Sequence, residues 1–304
     1  MRAALQARSL RSGARVGIAA PAGVVDRDRL EAGEAALRRL GFEPVRRKDL
    51  TDRSGYLAGE DARRAAELNE LVAASDIDAV VCARGGYGSS RLLESLDAKL
   101  FREARKPLVG YSDITSLLLW QWCEAGLMGI HGPMLEREEG FSDEIGESLR
   151  RALMGDASPP LAGRPGVPGC ARGRLVGGSL TLVTASLGTA WEIDTRENIL
   201  LFEEVEEPPY RIDRMLEQLR AAGKLEGLAG VGVGSLVGCE DERFPERDAE
   251  TVLAEFLEPL GVPVVFDLPF GHGERNLCWP FGGLAAIDGD RGEVELLEFA
   301  VKAE

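Results

Sequence analysis

Four short stretches carry residue types that could perform acyl transfer. The first is L-V-G-Y-S-D-I-T, residues 108–115, where Ser112 stands between an apolar strand-like run and an apolar helix-like run. A serine held at a sharp strand-to-helix turn exposes its Oγ, and the N–H that follows it can face a developing oxyanion. Position 114 is Ile, so the segment is not G-x-S-x-G, and from this stretch alone a helix N-cap is the stronger reading of Ser112. The second is A-R-G-G-Y-G, residues 83–88, a glycine-rich turn whose free N–H groups suit an anion or an oxyanion. It matches neither G-x-x-x-x-G-K-S nor G-x-G-x-x-G, so it is a weak nucleotide signal and is equally read as a tight turn needing positive φ.

The third element is histidine, which occurs only twice. His272 lies in the irregular loop F-G-H-G-E-R-N, where a general base would be free to accept a proton. His131 ends an apolar run in I-H-G-P and reads as a structural histidine. The fourth is L-L-F-E-E-V-E-E-P-P-Y-R-I-D-R, residues 200–214. Strand alternation puts Glu203 and Glu204 on opposite faces, with one expected inward and the other outward. An inward carboxylate could hold a histidine in one tautomer; the alternatives are a solvated acidic edge or a hard-cation site. No EF-hand spacing occurs, so no metal is expected. Cys278 shares the His272 loop, but its apolar neighbour Trp279 makes a reactive thiolate a poor expectation.

These residues need elements to hold them. In the first half, strand-like pieces (14–23, 42–47, 78–86, 107–112, 127–133) alternate with helix-like pieces (26–41, 59–75, 89–96, 113–126). Such alternation implies parallel pairing in a layered α/β sheet, with ligands beyond the carboxyl ends of the strands. Those ends carry APAG, ARGGYG, GYSD and IHGP. Residues 154–174 are rich in Pro, Gly and Ala and read as a linker. Beyond them, strand-like runs at 174–189, 198–205, 230–239, 262–273 and 284–298 are joined by Gly-rich turns, with helices at 210–224 and 247–261. The expected organisation is an N-terminal α/β domain over 1–153 that holds the serine, the linker 154–174, and a C-terminal β-rich domain over 175–304 that holds acid and base.

The totals exclude several classes. With 304 residues, 44% hydrophobic, the chain can bury a large core. Its net charge of −15 argues against a nucleic-acid partner. No apolar run approaches the roughly 20 residues of a membrane span. Arginines at 8, 11 and 15 interrupt any secretory h-region near the N-terminus. Five scattered cysteines form no C-x-x-C pair, which points to a reducing cytoplasm.

Taken together and in this order, the stretches resemble the LD-carboxypeptidases, the serine peptidase family that includes muramoyltetrapeptide carboxypeptidase and the microcin C immunity peptidases. The residues that carry the resemblance are ARGGYGSSRLL, KPLVGYSDITSLL, HGPM, GGSLTLVTASLGT, LLFEEVEEPPYRIDRML and LPFGHGERN. The resemblance implies a flavodoxin-like parallel-sheet domain followed by a smaller β-rich α+β domain. It implies Ser112 as nucleophile, His272 as base and Glu203 as acid, with the backbone N–H groups of Gly86 and Asp113 as oxyanion donors. Where the family tends to have Glu-Asp this chain has Glu-Glu; Glu203, the first of the pair, is favoured over Glu204. Arg275 and Arg84 are candidates for the substrate's terminal carboxylate. The implied activity is removal of the terminal D-Ala from murein tetrapeptide in cell-wall recycling, without a cofactor, by a cytoplasmic homodimer acting on a small peptide. Two alternatives stand beside it. One is an immunity peptidase cleaving peptidyl- or aminoacyl-adenylate amides, with Trp191, Trp279 or Tyr210 as the adenine platform. The other is a non-catalytic binding protein that uses ARGGYG for a phosphate ligand.

Overall fold

Fully buried strands such as Ala79–Cys82 expose neither face to water, which suits them to a parallel sheet covered by helices on both sides. A computed structural model describes residues 4–137 and 140–303; Met1–Ala3, Glu138, Glu139 and Glu304, which the domain expectations included, lie outside the described residues. The chain forms two units, Met1–Ser158 with Leu277–Gly282 and Phe299–Glu304, and Pro159–Asn276 with Gly283–Glu298.

The first unit holds β1 (Ala7–Arg8), β2 (Arg15–Ala19), β3 (Glu43–Val45), β4 (Ala79–Cys82), β5 (Leu108–Gly110) and β6 (Gly129–His131). Its sheet runs β3-β2-β4-β5-β6, with all neighbours parallel, the order of a flavodoxin-like fold. Around it lie α1 (Arg27–Arg39), α2 (Asp61–Ala73), α3 (Ala98–Ala104), α4 (Thr115–Trp120) and α5 (Asp143–Met154). Asp26 caps α1 and Ser142 caps α5 through their side chains. The strand order reverses between β2 and β4, so a crevice is expected beyond their carboxyl ends. There the loops Ala20–Gly23 and Ala83–Gly88 meet, with Gly23 N–H donating to Gly85 C=O at 2.9 Å. Residues 89–96, expected as a helix, form a 3-10 segment over Ser89–Ser95. The expected helix 113–126 is composite: a 3-10 turn Ser112–Ile114, then α4, then a π turn Gln121–Ala125.

The second unit holds β7 (Leu161–Ala162), β8 (Arg164–Pro165), β9 (Cys170–Ser179), β10 (Ile199–Val205), β11 (Gly230–Val237) and β12 (Val264–Phe266). Strands β9 to β12 are parallel neighbours, and the antiparallel hairpin Leu284–Asp288/Glu293–Leu296 extends the sheet beyond β9. Its helices are α6 (Leu180–Ala185), α7 (Pro209–Ala221) and α8 (Ala249–Leu257).

Three expectations change here. The linker 154–174 is not structureless: it supplies β7, β8 and the start of β9, and the unit boundary falls after Ser158. Proline is tolerated because Pro165 sits on an outer strand, where a missing N–H costs no ladder bond. The run 174–189 is not one strand, because the chain turns into α6 after Ser179. Nor does everything after 175 stay in one unit. Trp279–Phe281 pairs antiparallel with β6, and Val301–Lys302 pairs parallel with β1.

Candidate active site

In the first unit, β5 delivers Tyr111 in extended conformation (φ −148°) and the chain then turns sharply, with Ser112 at φ +60°. A non-glycine residue in the left-handed region is strained by about 1 kcal/mol or more and marks a position that the surrounding structure over-determines. Ser112 opens the 3-10 turn, and the residue before that turn is Tyr111, so the serine is not an N-cap. The glycine loop passes close by. A Cβ built on Gly85 would stand 3.1 Å from Cβ and 3.2 Å from Oγ of Ser112, so only glycine lets this backbone approach the hydroxyl freely. Gly86 follows at φ +100°.

Asp113 is buried, and its carboxylate has a partner that the sequence did not reveal. Asp113 Oδ2 accepts the Ser89 N–H at 2.8 Å, while Ser89 Oγ donates to the Asp113 carbonyl at 2.7 Å. The Ser112 turn and the glycine loop are thereby tied together at their far ends. Arg84 sits on the rim, its Nη1 donating to Val24 C=O at 2.8 Å and pairing with Glu136 at 3.4 Å. His131 is buried and stacked on Trp279, with ring centroids 4.6 Å apart, a core position. Trp279 is buried too, which removes it as an adenine platform. Trp191 is half-buried, and Tyr210 is exposed with the guanidinium groups of Arg211 and Arg214 at 5.9 and 5.7 Å from its ring centroid.

In the second unit, β10 carries Glu203 and Glu204 at its carboxyl end, across a register shift against β11. Both are buried, at 0% and 3% exposure, so the expectation of one outward carboxylate is corrected. The reason is tertiary: every residue from Ile199 to Glu204 is buried, so this strand is covered on both faces. Glu203 Oε2 lies 2.7 Å from His272 Nδ1. Glu204 Oε2 instead accepts the Thr181 N–H at 2.7 Å in the first turn of α6, and burial raises its pKa above the usual carboxylate range. Because a carboxylate only accepts, the neutral His272 ring carries its proton on Nδ1 and its acceptor lone pair on Nε2.

Two residues outside the expected set shape the histidine loop. Ser235 Oγ accepts the Gly273 N–H at 3.0 Å, and Asn276 Oδ1 accepts the Gly271 N–H at 3.2 Å. Gly271 has φ +108°, and a Cβ there would press to 2.7 Å from Glu203 Oε2. The signals for both were faint: a lone polar residue late in the G-V-G-V-G-S strand run, and the Asn that closes G-H-G-E-R-N. Arg275 is exposed on the same loop. Cysteine chemistry is disfavoured, since burial pushes the Cys278 thiol up to about 12. Among the described residues, Cys170, Asp288 and Asp290 place ligand-type atoms within 4.8 Å of one another, at the opposite end of β9 from the Glu203 partner Ser179.

A serine at a strained turn beside a glycine loop, and a buried carboxylate orienting an imidazole, on two α/β units, describe the parts of a hydrolase. The chain's relatives identify the kind. Residues 16–132 match the LD-carboxypeptidase N-terminal domain and residues 172–287 the LD-carboxypeptidase C-terminal domain. The protein belongs to the LD-carboxypeptidase family and is a peptidase, which removes the non-catalytic binding protein. It is 33% identical over 292 residues to the murein tetrapeptide carboxypeptidase of Pseudomonas aeruginosa, covering 91% of this chain and 94% of that one. Among solved structures, it resembles the microcin C7 self-immunity protein MccF with a TM-score of 0.89 at 26% identity, over 98% of this chain and 100% of that one. It also resembles the muramoyltetrapeptide carboxypeptidase of Oxalobacter formigenes with a TM-score of 0.84 at 27% identity, over 93% and 97%. Among the described residues, no helix is long and apolar enough to cross a membrane.

Proposed function

We propose that the protein is a serine LD-carboxypeptidase that releases the terminal D-Ala from murein tetrapeptide through Ser112, His272 and Glu203. The observation that carries this reading is the 2.7 Å contact of His272 Nδ1 with a fully buried Glu203. That arrangement leaves Nε2 basic and stabilises the imidazolium that forms on proton transfer. In the reaction, Nε2 takes the proton from Ser112 Oγ as Oγ attacks the scissile carbonyl. The oxyanion meets the backbone N–H groups of Gly86 and Asp113, each worth roughly 3 kcal/mol in such sites. His272 then gives the proton to the departing D-Ala nitrogen, leaving an acyl-enzyme. Water, deprotonated by the same imidazole, attacks the ester and frees the serine. The substrate's terminal carboxylate needs a cation, and Arg275 and Arg84 are the two candidates; Arg84 Nη1 also meets Val24 and Glu136. The reading also carries a cytoplasmic homodimer; sedimentation of the purified chain checks the dimer and cell fractionation the location.

A second reading, cleavage of a peptidyl- or aminoacyl-adenylate amide, is favoured by the exposed Tyr210 and half-buried Trp191 together with the likeness to MccF. Incubation with murein tetrapeptide and, separately, with a non-murein aminoacyl-adenylate analogue distinguishes them by D-Ala or amine release. Ser112→Ala abolishes either activity; turnover that survives it sinks the serine mechanism. An unchanged KM in Arg275→Ala removes the carboxylate assignment.

A further inference from the structure

The peptide unit that joins Gly88 to Ser89 is gripped from both sides. Its carbonyl accepts Arg64 Nη1 at 3.0 Å, and its N–H donates to Asp113 Oδ2 at 2.8 Å. Arg64 comes from α2 and is 0% exposed; Asp113 follows the nucleophile and is 2% exposed. The same guanidinium also reaches the Pro21 carbonyl in the neighbouring loop and the Asp61 carboxylate. One planar group thus meets both loop carbonyls through Nη1 while its Nη2 is held by Asp61, so the guanidinium plane is fixed relative to the loops. Burying a guanidinium and a carboxylate is costly, and apolar packing would often serve stability as well. Their placement across one peptide therefore fixes geometry: the plane of that peptide sets how the preceding loop returns past Ser112.

The geometry points to the Gly88–Ser89 peptide as a clamp on the oxyanion loop, with Arg64 and the Asp113 carboxylate as its two jaws. Both are positioning residues, acting through the backbone donors and not on the substrate. The loop needs such a device. Gly86 and Gly88 sit at φ +100° and +120° and have no side chains to hold them there. A side chain at 88 would displace the jaw itself, since a Cβ there would stand 2.9 Å from Arg64 Nη1. Pre-organised donors stabilise a transition state because they are not reoriented during the reaction, so a loosened clamp lowers kcat and leaves ground-state binding.

This inference rests on the oxyanion role assigned to the loop, so its test has an arm that does not use activity. Arg64→Lys, Arg64→Gln, Asp113→Asn, Asp113→Ala and the double variant Arg64→Gln/Asp113→Asn are compared in D-Ala release. Each single change is expected to lower kcat about tenfold or more with KM within about threefold. Asp113→Asn, which keeps an acceptor for the Ser89 N–H, should retain more activity than Asp113→Ala. The double variant should lose no more than the worse single one, because both jaws hold one peptide. Losses that multiply in the double variant, or that appear in KM alone, overturn the clamp. In parallel, amide exchange at Ser89 should accelerate at least about tenfold in Asp113→Ala and much less in Asp113→Asn; equal exchange in both and in the parent overturns it as well. Where Arg64→Gln fails to fold, the Asp113 pair and the exchange data decide. If Ser112→Ala keeps its turnover, the serine mechanism falls, and the exchange arm still judges the clamp.

Discussion

Replacing Glu203 by Gln separates the acid's electrostatic role from its packing. The carboxylate is fully buried, with Oε2 at 2.7 Å from His272 Nδ1. In the proposed mechanism the ring becomes a cation when it takes the serine proton. Two unit charges about 4 Å apart attract by about 4 kcal/mol at an effective dielectric near 20. Loss of that attraction slows the reaction by about three orders of magnitude. The amide has two orientations. With its oxygen on Nδ1 the tautomer survives and only the charge is lost. Its nitrogen then takes the place of Oε1, which has no hydrogen-bond partner among the described residues, and an unpaired donor there costs about 1–3 kcal/mol of stability. With its nitrogen on Nδ1 the proton is forced onto Nε2, and that tautomer error costs about 10⁴ in kcat in Ser-His-Asp proteases. Either way kcat should fall by about 10³ to 10⁴, with KM within a few-fold. Steady-state D-Ala release, with thermal melting beside it, is the assay. A folded Glu203→Gln enzyme within tenfold of the parent kcat would refute the role of Glu203.

Glu204→Gln is the matched control: its partner is the Thr181 N–H, so activity should stay within about fivefold, and a loss as deep as that of Glu203→Gln would merge the two roles. Gly85→Ala puts a methyl 3.2 Å from Ser112 Oγ at a position that needs no positive φ, so kcat should drop at least about tenfold while Tm moves by only a few degrees; an unaffected rate would mean that the loop does not crowd the hydroxyl. Both Ser112→Gly and Ser112→Ala should be inactive, but glycine relieves the φ +60° strain and should be the more stable by about 1 kcal/mol in denaturant melts; the reverse order argues against strain at the turn. Burial holds the Glu67 carboxyl up at about 7, against the opposing pull of Arg63. Its folded-state pKa is raised, so its stabilising contribution is complete below about pH 4.5 and is lost as pH rises through about 7, by about 3 kcal/mol. The stability of the parent relative to Glu67→Gln should therefore decline over that window, and a flat difference would contradict the shift.

Much of this protein was legible locally. The alternation of apolar runs with helical spacing in residues 14–133 implies the parallel first sheet, because strands buried on both faces must be apolar throughout. Ser112, Asp113, Gly86, Glu203 and His272 are each marked by a residue type at the end of a strand or in a Gly-rich turn. Missed elements have the opposite character. Residues 154–174 look like a linker because Pro and Gly dominate, yet outer strands tolerate both. The segments Trp279–Phe281 and Val301–Lys302 leave their sequence neighbours to pair with β6 and β1, and no local pattern announces a partner that far away.

The amino-acid sequence by itself determined the family, the order of the chemistry-bearing residues and the reason for each type. Tertiary structure decided which of two adjacent glutamates faces the histidine, since strand alternation separates them but only the packed sheet buries both. It also decided the partner of the Asp113 carboxylate: the Ser89 N–H, in the one peptide whose carbonyl is held by an arginine 49 positions before Asp113 (64 against 113). Local sequence encodes backbone preference and burial, whereas a hydrogen bond between distant residues exists only once the chain has folded and brought them together.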